Sequence, residues 1–120
     1  MKTEATIGLV ISVIAVFPFL FGAFLNLTKN AQAVKNIEHV GFSPKFLTPF
    51  GISSLLLAVL TLVPATSFLG VVLATGWMGG AIAAHLRVRD NYVLQTVIPI
   101  LIWVGFGLRH PVELHHLFGF

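Results

Sequence analysis

The sequence predicts an all-α integral membrane protein, a four-helix bundle with an interfacial segment between its first and second spans. Three observations carry that reading. Of 120 residues, 57% are hydrophobic and only 9% are charged, a composition outside that of soluble domains. The charged residues and histidines gather at the ends of apolar runs, the distribution that lipid imposes. The runs themselves number four, at about residues 6–27, 47–63, 66–84 and 92–108, and together they make one membrane domain covering 1–120.

The first run is long enough to cross a hydrocarbon core of about 30 Å at about 1.5 Å per residue. No small-residue cleavage site follows a short apolar region, so it reads as a retained span and not a signal peptide. The second starts where Thr48 can cap a helix and Pro49 suits its first turn, and Pro64 marks its stop. Only Pro64, Ala65 and Thr66 separate it from the third, which makes the two antiparallel neighbours. The second and fourth are short for a span, which suggests either little tilt or help from Tyr92, Trp103 and Arg109 at the interfaces. Pro18 and Pro99 sit inside the first and fourth runs and should release the carbonyls of Ile14 and Gln95, with kinks there.

The connection from Thr28 to Phe46 is long. Within it Ala31, Val34, Ile37 and Val40 recur every third residue, which suggests a short amphipathic helix with Lys35 and Glu38 toward water. An irregular loop ending at Gly41 is the alternative. Counting Lys and Arg orients the whole: Lys29, Lys35, Lys45, Arg87 and Arg89 lie on one side, Lys2 and Arg109 on the other. The basic loops are then cytoplasmic and both termini outside, in what is expected to be a prokaryotic cytoplasmic membrane.

The stretch from Leu69 to Asp90, LGVVLATGWMGGAIAAHLRVRD, which holds most of the third run and the turn after it, carries the densest information. Gly76, Gly80 and Ala84 recur every four residues, the small-residue spacing that lets helices approach closely in lipid. That seam reads as bundle packing, or as room left for a ligand, and it can face inward or toward a second copy. At its end His85 and Arg87 favour the helix dipole and anchor the helix to the cytoplasmic side. They can also form, with Glu38 or His39 from the first loop, a polar mouth where an anionic or quinone-like headgroup docks.

Several classes of function are excluded or marked down. Without cysteine there are no disulfides, thiolate metal sites or CxxC redox chemistry. The net charge of +3 is spread over separate loops, so nucleic acid is not a partner. No Asp, Glu, Lys or Arg lies at mid-membrane, which argues against a proton pump or ion-coupled carrier. A haem bridging His85 and His110 would need ligands at one depth, and these lie on opposite sides of the membrane. His110, Glu113 and His116 would share a face if the C-terminal tail were helical; a flexible polar tail with interfacial Leu117, Phe118 and Phe120 is preferred, and no metal is expected. Asn26 and Gln95 can bond a neighbouring helix, and Ser53, Ser54, Thr61, Thr75 and Thr96 can satisfy themselves on the carbonyl four residues back.

Taken together, GFSPKFLTPFGISSLLLAVLTLVP, the third run and WVGFGLR resemble the DoxX-like family of small four-helix membrane proteins, over roughly Phe21 to Arg109. The elements are Gly41 and Phe42 before Pro44, Gly51, Pro64, Gly70, and Gly80 and Ala81 leading to His85. Where the family commonly has an acidic residue after the second-span glycine, this chain has Ser53 and Ser54. The resemblance implies links to thiosulfate and quinone oxidoreductase subunits, to membrane oxidoreductase complexes and to chaperone-like partners of membrane proteins. Two functional expectations follow. One is a non-enzymatic accessory or scaffold subunit of a membrane complex, with lipid and another membrane protein or a second copy as partners and no cofactor. The other is a quinone-linked oxidoreductase subunit, or a protein that binds lipid or a small molecule without chemistry.

Overall fold

The computed structural model describes residues 2–119, which form six α-helices and no strand. They are α1 (Lys2–Leu27), α2 (Ala31–His39), α3 (Leu47–Leu62), α4 (Ser67–Arg87), α5 (Val93–Arg109) and α6 (Pro111–Phe118). Three segments are long and apolar enough to cross a membrane, namely Thr3–Leu27, Pro44–Leu62 and Pro64–Arg87. Joining α5 to α6 as one broken span, bent by 111°, would make a fourth.

The four longest helices contact one another in the cyclic order α1, α3, α4, α5 and back to α1. Apolar side chains face both ways. Val16, Phe19, Val71, Ile102 and Phe106 form the core with Ala15, Ala58 and Ala74, while Ile14, Phe17, Phe24, Leu56 and Ile100 lie more than half exposed on the outside. An apolar exterior of this extent would be unstable against water and is at home against lipid tails.

Polar groups turn inward. Ser54 Oγ donates to the Phe19 carbonyl of α1 at 2.6 Å, and Ser67 Oγ to the Thr61 carbonyl at 2.8 Å. Local self-satisfaction therefore holds for Thr75 and Thr96, which donate to Val71 and Tyr92 four residues back, but not for Ser54. The buried Thr61 Oγ1 and Gln95 Oε1 have no partner among the described residues. Helices α1 and α5 continue through Pro18 and Pro99.

Helix α3 starts at Leu47, but not on the cap the sequence suggested. A 3-10 turn, Pro44–Phe46, leads directly into α3, and Ser43 caps it by accepting from the Lys45 N–H at 3.4 Å. Thr48 and Pro49 fall inside the first helical turn. A second turn, Pro64–Thr66, links α3 to α4, and Thr66 Oγ1 fastens it by donating to the Leu60 carbonyl at 2.9 Å.

The long first connection contains α2, capped by Asn30 accepting from the Gln32 N–H at 2.9 Å. Its buried face is Ala33 and Ile37, which pack on Leu47, Leu25 and Phe50, with Lys35 and Glu38 exposed. Helices α1, α2 and α4 all end in the same C-terminal motif. Its signature is an N–H bonded five residues back, from Asn30 to Leu25, from Phe42 to Ile37 and from Asp90 to His85. The residue before each donor has positive φ: Lys29 at 53°, Gly41 at 95° and Arg89 at 61°.

The C-terminal segment is a helix and not a flexible tail. Pro111 occupies the first turn of α6, where a missing N–H does no harm, and Gly119 ends it at φ 78°. It folds back on α5, Phe118 standing edge-on to Trp103 with centroids 5.8 Å apart. Phe120 lies outside the described residues.

Candidate functional site

The packing of α4 decides where a site can lie. At Gly70 an added Cβ would run into the backbone of α3 at Leu60 and Thr61, so this glycine permits close approach. At Gly76, Gly79 and Gly80 an added Cβ would meet nothing within 4 Å. Within a single copy, then, Gly76 and Gly80 bring no neighbouring helix into close approach, and with Ala84 they face open space. They line an open cavity of about 650 Å³ at the end of the molecule where α1, α2 and α4 terminate.

The close-approach glycines lie elsewhere. A Cβ on Gly105 of α5 would meet Ser12 Oγ and stand 3.0 Å from the Gly8 carbonyl oxygen, so α1 and α5 cross at two glycines. Spacing alone hid this contact, because the two glycines are almost a hundred residues apart.

Four helices and the connections beside them assemble the cavity. Asn26 contributes from the last turn of α1, and Asn36, Ile37 and His39 from α2; Phe50 comes from α3, and the stretch from Gly76 to His85 from α4. Residues four apart on a helix share a face, so Trp77, Ala81 and His85 make one row beside the small residues Gly76, Gly80 and Ala84. Trp77 stands inward and His85 at the mouth. The wall is aromatic: Phe42 and Phe50 meet edge-on at 5.2 Å, and Phe50 and Trp77 at 5.5 Å. Beyond Gly76 and Trp77, which line both spaces, a groove of about 450 Å³ continues between Leu56, Leu60, Val72 and Leu73.

The four residues proposed for the polar mouth divide into two pairs. His39 and His85 line the cavity. His39 Nε2 donates to Asp90 Oδ2 at 2.8 Å and so ties α2 to the α4–α5 turn. His85 Nδ1 donates to the Ala81 carbonyl at 2.8 Å, which fixes the ring and leaves Nε2 without a partner among the described residues. Arg87 turns away, donating through Nη2 to the Val40 carbonyl beside Gly41. Glu38 is exposed and does not line the cavity. Asp90 and Asn26, not named for this mouth from sequence, also line the cavity, with Trp77 further in.

At the opposite end Arg109 is far more than an interfacial anchor. Its Nη1 donates to Ser12 Oγ of α1, and its Nη2 to the Thr61 carbonyl of α3 and to Ser67 Oγ of α4 at 3.1 Å each. One guanidinium thus holds all four long helices. His110 Nε2 lies 3.5 Å from the same Nη2. Burial, then the neighbouring Arg109 charge, holds His110 below the ordinary histidine value, with Glu113 opposing. Its ring is neutral near pH 7 and accepts from the arginine. Trp103, likewise expected at an interface, sits mid-helix and donates to Thr75 Oγ1 at 2.9 Å.

The family follows from comparison with known proteins. The model of the DoxX-like family matches residues 10–106, most of the chain. The chain belongs to the DoxX-like family. That match runs from within α1 to all but the last turn of α5, and so takes in the whole cavity of this DoxX-like protein while leaving out the start of α1, α6 and Arg109. Comparison with curated proteins and with solved structures gives no match.

Proposed function

We propose that this DoxX-like protein is a four-span bundle, α1, α3, α4 and α5, which binds a small amphipathic molecule in the cavity at its basic-loop end. The supporting observation is the open space over Gly76 and Gly80, between an aromatic wall and the polar mouth at His85. Cavities of about 300–1,000 Å³, mostly apolar with a few placed polar groups, are the usual form of small-molecule sites. The polar end of the ligand sits at His85 and the His39–Asp90 pair, and its apolar part continues past Trp77 into the α3–α4 groove. The reduced, hydroxyl-bearing form of a quinone-like headgroup fits that description. In this reading α2 lies at the membrane interface as one wall of the site, and the protein lives in a cytoplasmic membrane.

The test is mass spectrometry of what co-purifies in mild detergent. Wild-type protein is expected to carry an amphiphile that Gly80→Leu lacks and Gly22→Leu retains. Both glycines have open space, but only Gly80 lines the cavity. Identical extracts from all three proteins would remove the reading.

The accessory-subunit reading rests on the same open glycines, which in one copy leave a small-residue face free for a helix of another membrane protein or of a second copy. It requires that Gly80→Leu abolish co-purification of a partner chain and that wild-type protein carry no amphiphile.

A further inference from the structure

We infer that the cavity selects a ligand whose ring head carries a hydroxyl, because His85 is fixed as a hydrogen-bond acceptor. This rests on the binding reading above and deepens it. The Ala81 carbonyl can only accept, so the 2.8 Å bond from His85 assigns the ring proton to Nδ1. In the neutral imidazole the remaining nitrogen, Nε2, is then a lone-pair acceptor with no partner among the described residues. A second tautomer would break the bond to Ala81 and set two lone pairs against each other. The histidine at the mouth is thus polarised by its own helix.

The surroundings complete the selection. Asp90 is engaged by His39, and Asn36 Oδ1 accepts from Gln32 Nε2 at 2.9 Å. Asp90 Oδ2 and Asn36 Oδ1 each already hold one donor, whereas the His85 lone pair holds none and is open to a donor on the ligand. The floor is bare backbone at Gly76 and Gly80 and the wall is Phe50 and Trp77, so the space beside His85 takes a flat ring and offers it an aromatic edge. A phenol-type head satisfies both demands. An isosteric ring without the hydroxyl would fill the space and leave the imidazole nitrogen unpaired, which is the situation that gives discrimination.

The experiment compares 4-butylphenol with 4-butylfluorobenzene, nearly equal in shape, binding to the full chain in lipid nanodiscs by ligand-detected NMR. Nanodiscs carrying Gly80→Leu, the filled cavity, supply the blank for partition into lipid. The phenol is expected to bind about tenfold tighter than its fluoro analogue, the effect of one hydrogen bond. His85→Phe, which keeps a ring in place, is expected to bring the phenol down to the analogue and leave the analogue unchanged. Equal binding of the two by wild-type protein, a preference that survives His85→Phe, or no binding above the blank would each overturn the inference. An amphiphile that co-purifies with wild-type protein and not with Gly80→Leu would leave the binding reading standing in all three cases.

Discussion

Arg109 Nη1 donates to Ser12 Oγ at 2.9 Å, joining the last residue of α5 to the third turn of α1 across nearly the whole length of the chain. The same guanidinium reaches acceptors on α3 and α4. Removing it takes the donor from Ser12 Oγ and one donor from the Thr61 carbonyl, which keeps Ser67 Oγ. Hydrogen bonds to a charged group are worth about 1.5–3 kcal/mol each in favourable settings and are not additive. Arg109→Ala is expected to destabilise the bundle by roughly 3 kcal/mol, read as denaturant or thermal unfolding in detergent. Arg109→Lys should recover only part, since a single ammonium lacks the planar fork that spans three helices. Full recovery by lysine would mean that charge alone suffices.

The α1–α5 crossing gives a contrast between two glycines. Gly105→Ala drives a Cβ into Ser12 Oγ and toward the Gly8 carbonyl, and overpacking of this kind costs about 1–3 kcal/mol. Gly80→Ala meets nothing and gains helix propensity, about 0.5–1 kcal/mol. Opposite signs in one unfolding assay are the expected outcome. A Gly80→Ala protein as damaged as Gly105→Ala would mean that another helix covers Gly80.

That contrast shows what could be read from sequence. Helix positions follow from apolar runs and from Pro44 and Pro64, because lipid demands that backbone bonds close within each segment. A helix in the first connection was visible in its spacing, although its buried face is Ala33 and Ile37 and leaves Ala31 exposed, and His39 and His85 were placed at one end together by topology alone. Which glycines touch was not legible: Gly76-x3-Gly80 and Gly105 look alike along the chain, and only the crossing of α1 over α5 tells them apart. Arg109 read as an anchor because its acceptors, Ser12, Thr61 and Ser67, come from three other helices. Arg87 and Glu38 sit beside His85 and His39 in sequence, yet the C-terminal motifs of α2 and α4 carry Arg87 to the Val40 carbonyl and leave Glu38 in the open.

Two of those motifs hold a side chain where glycine is favoured. Arg89 has φ 61° and Lys29 φ 53°, a conformation that costs an L-residue about 1–2 kcal/mol. Arg89→Gly is expected to raise stability by about 1 kcal/mol or somewhat less, the remainder going to the greater freedom of glycine when unfolded. Gly41→Ala should do the reverse, with the added Cβ standing 2.6 Å from Arg87 Nη2. Unfolding midpoints that move together for the two variants would contradict this account.

His110 predicts a pH dependence whose sign is fixed. Its value in the folded protein is lowered, by burial first and by Arg109 second, so the folded state binds fewer protons than the unfolded one just below the ordinary histidine range. Stability is fully present above about pH 6.5 and falls as the pH drops through that window toward the lowered folded value. Protonation also turns the acceptor facing Arg109 into a second cation. Unfolding temperature should therefore decline between pH 7.5 and pH 5 more steeply in wild-type protein than in His110→Gln. Parallel curves would assign the decline to other groups.

The basic side, with Lys29, Lys35, Lys45, Arg87 and Arg89 against Lys2 and Arg109 on the other, sets the last expectation. Short loops rich in Lys and Arg stay in the cytoplasm, and with four spans both chain ends share the other side. Alkaline phosphatase joined after Phe120 is expected to be active, and joined within the turn at Asn91 to be inactive. The reversed pattern would place the cavity mouth, with His85 and the His39–Asp90 pair, on the outer face, where its occupant would come from outside the cell. Charge reversal offers an independent check, because the margin rests on few residues. Converting Arg87 and Arg89 to Glu while adding two lysines after Lys2 should weaken or invert the orientation, and an unchanged pattern of fusion activity would show that features other than basic loops hold it.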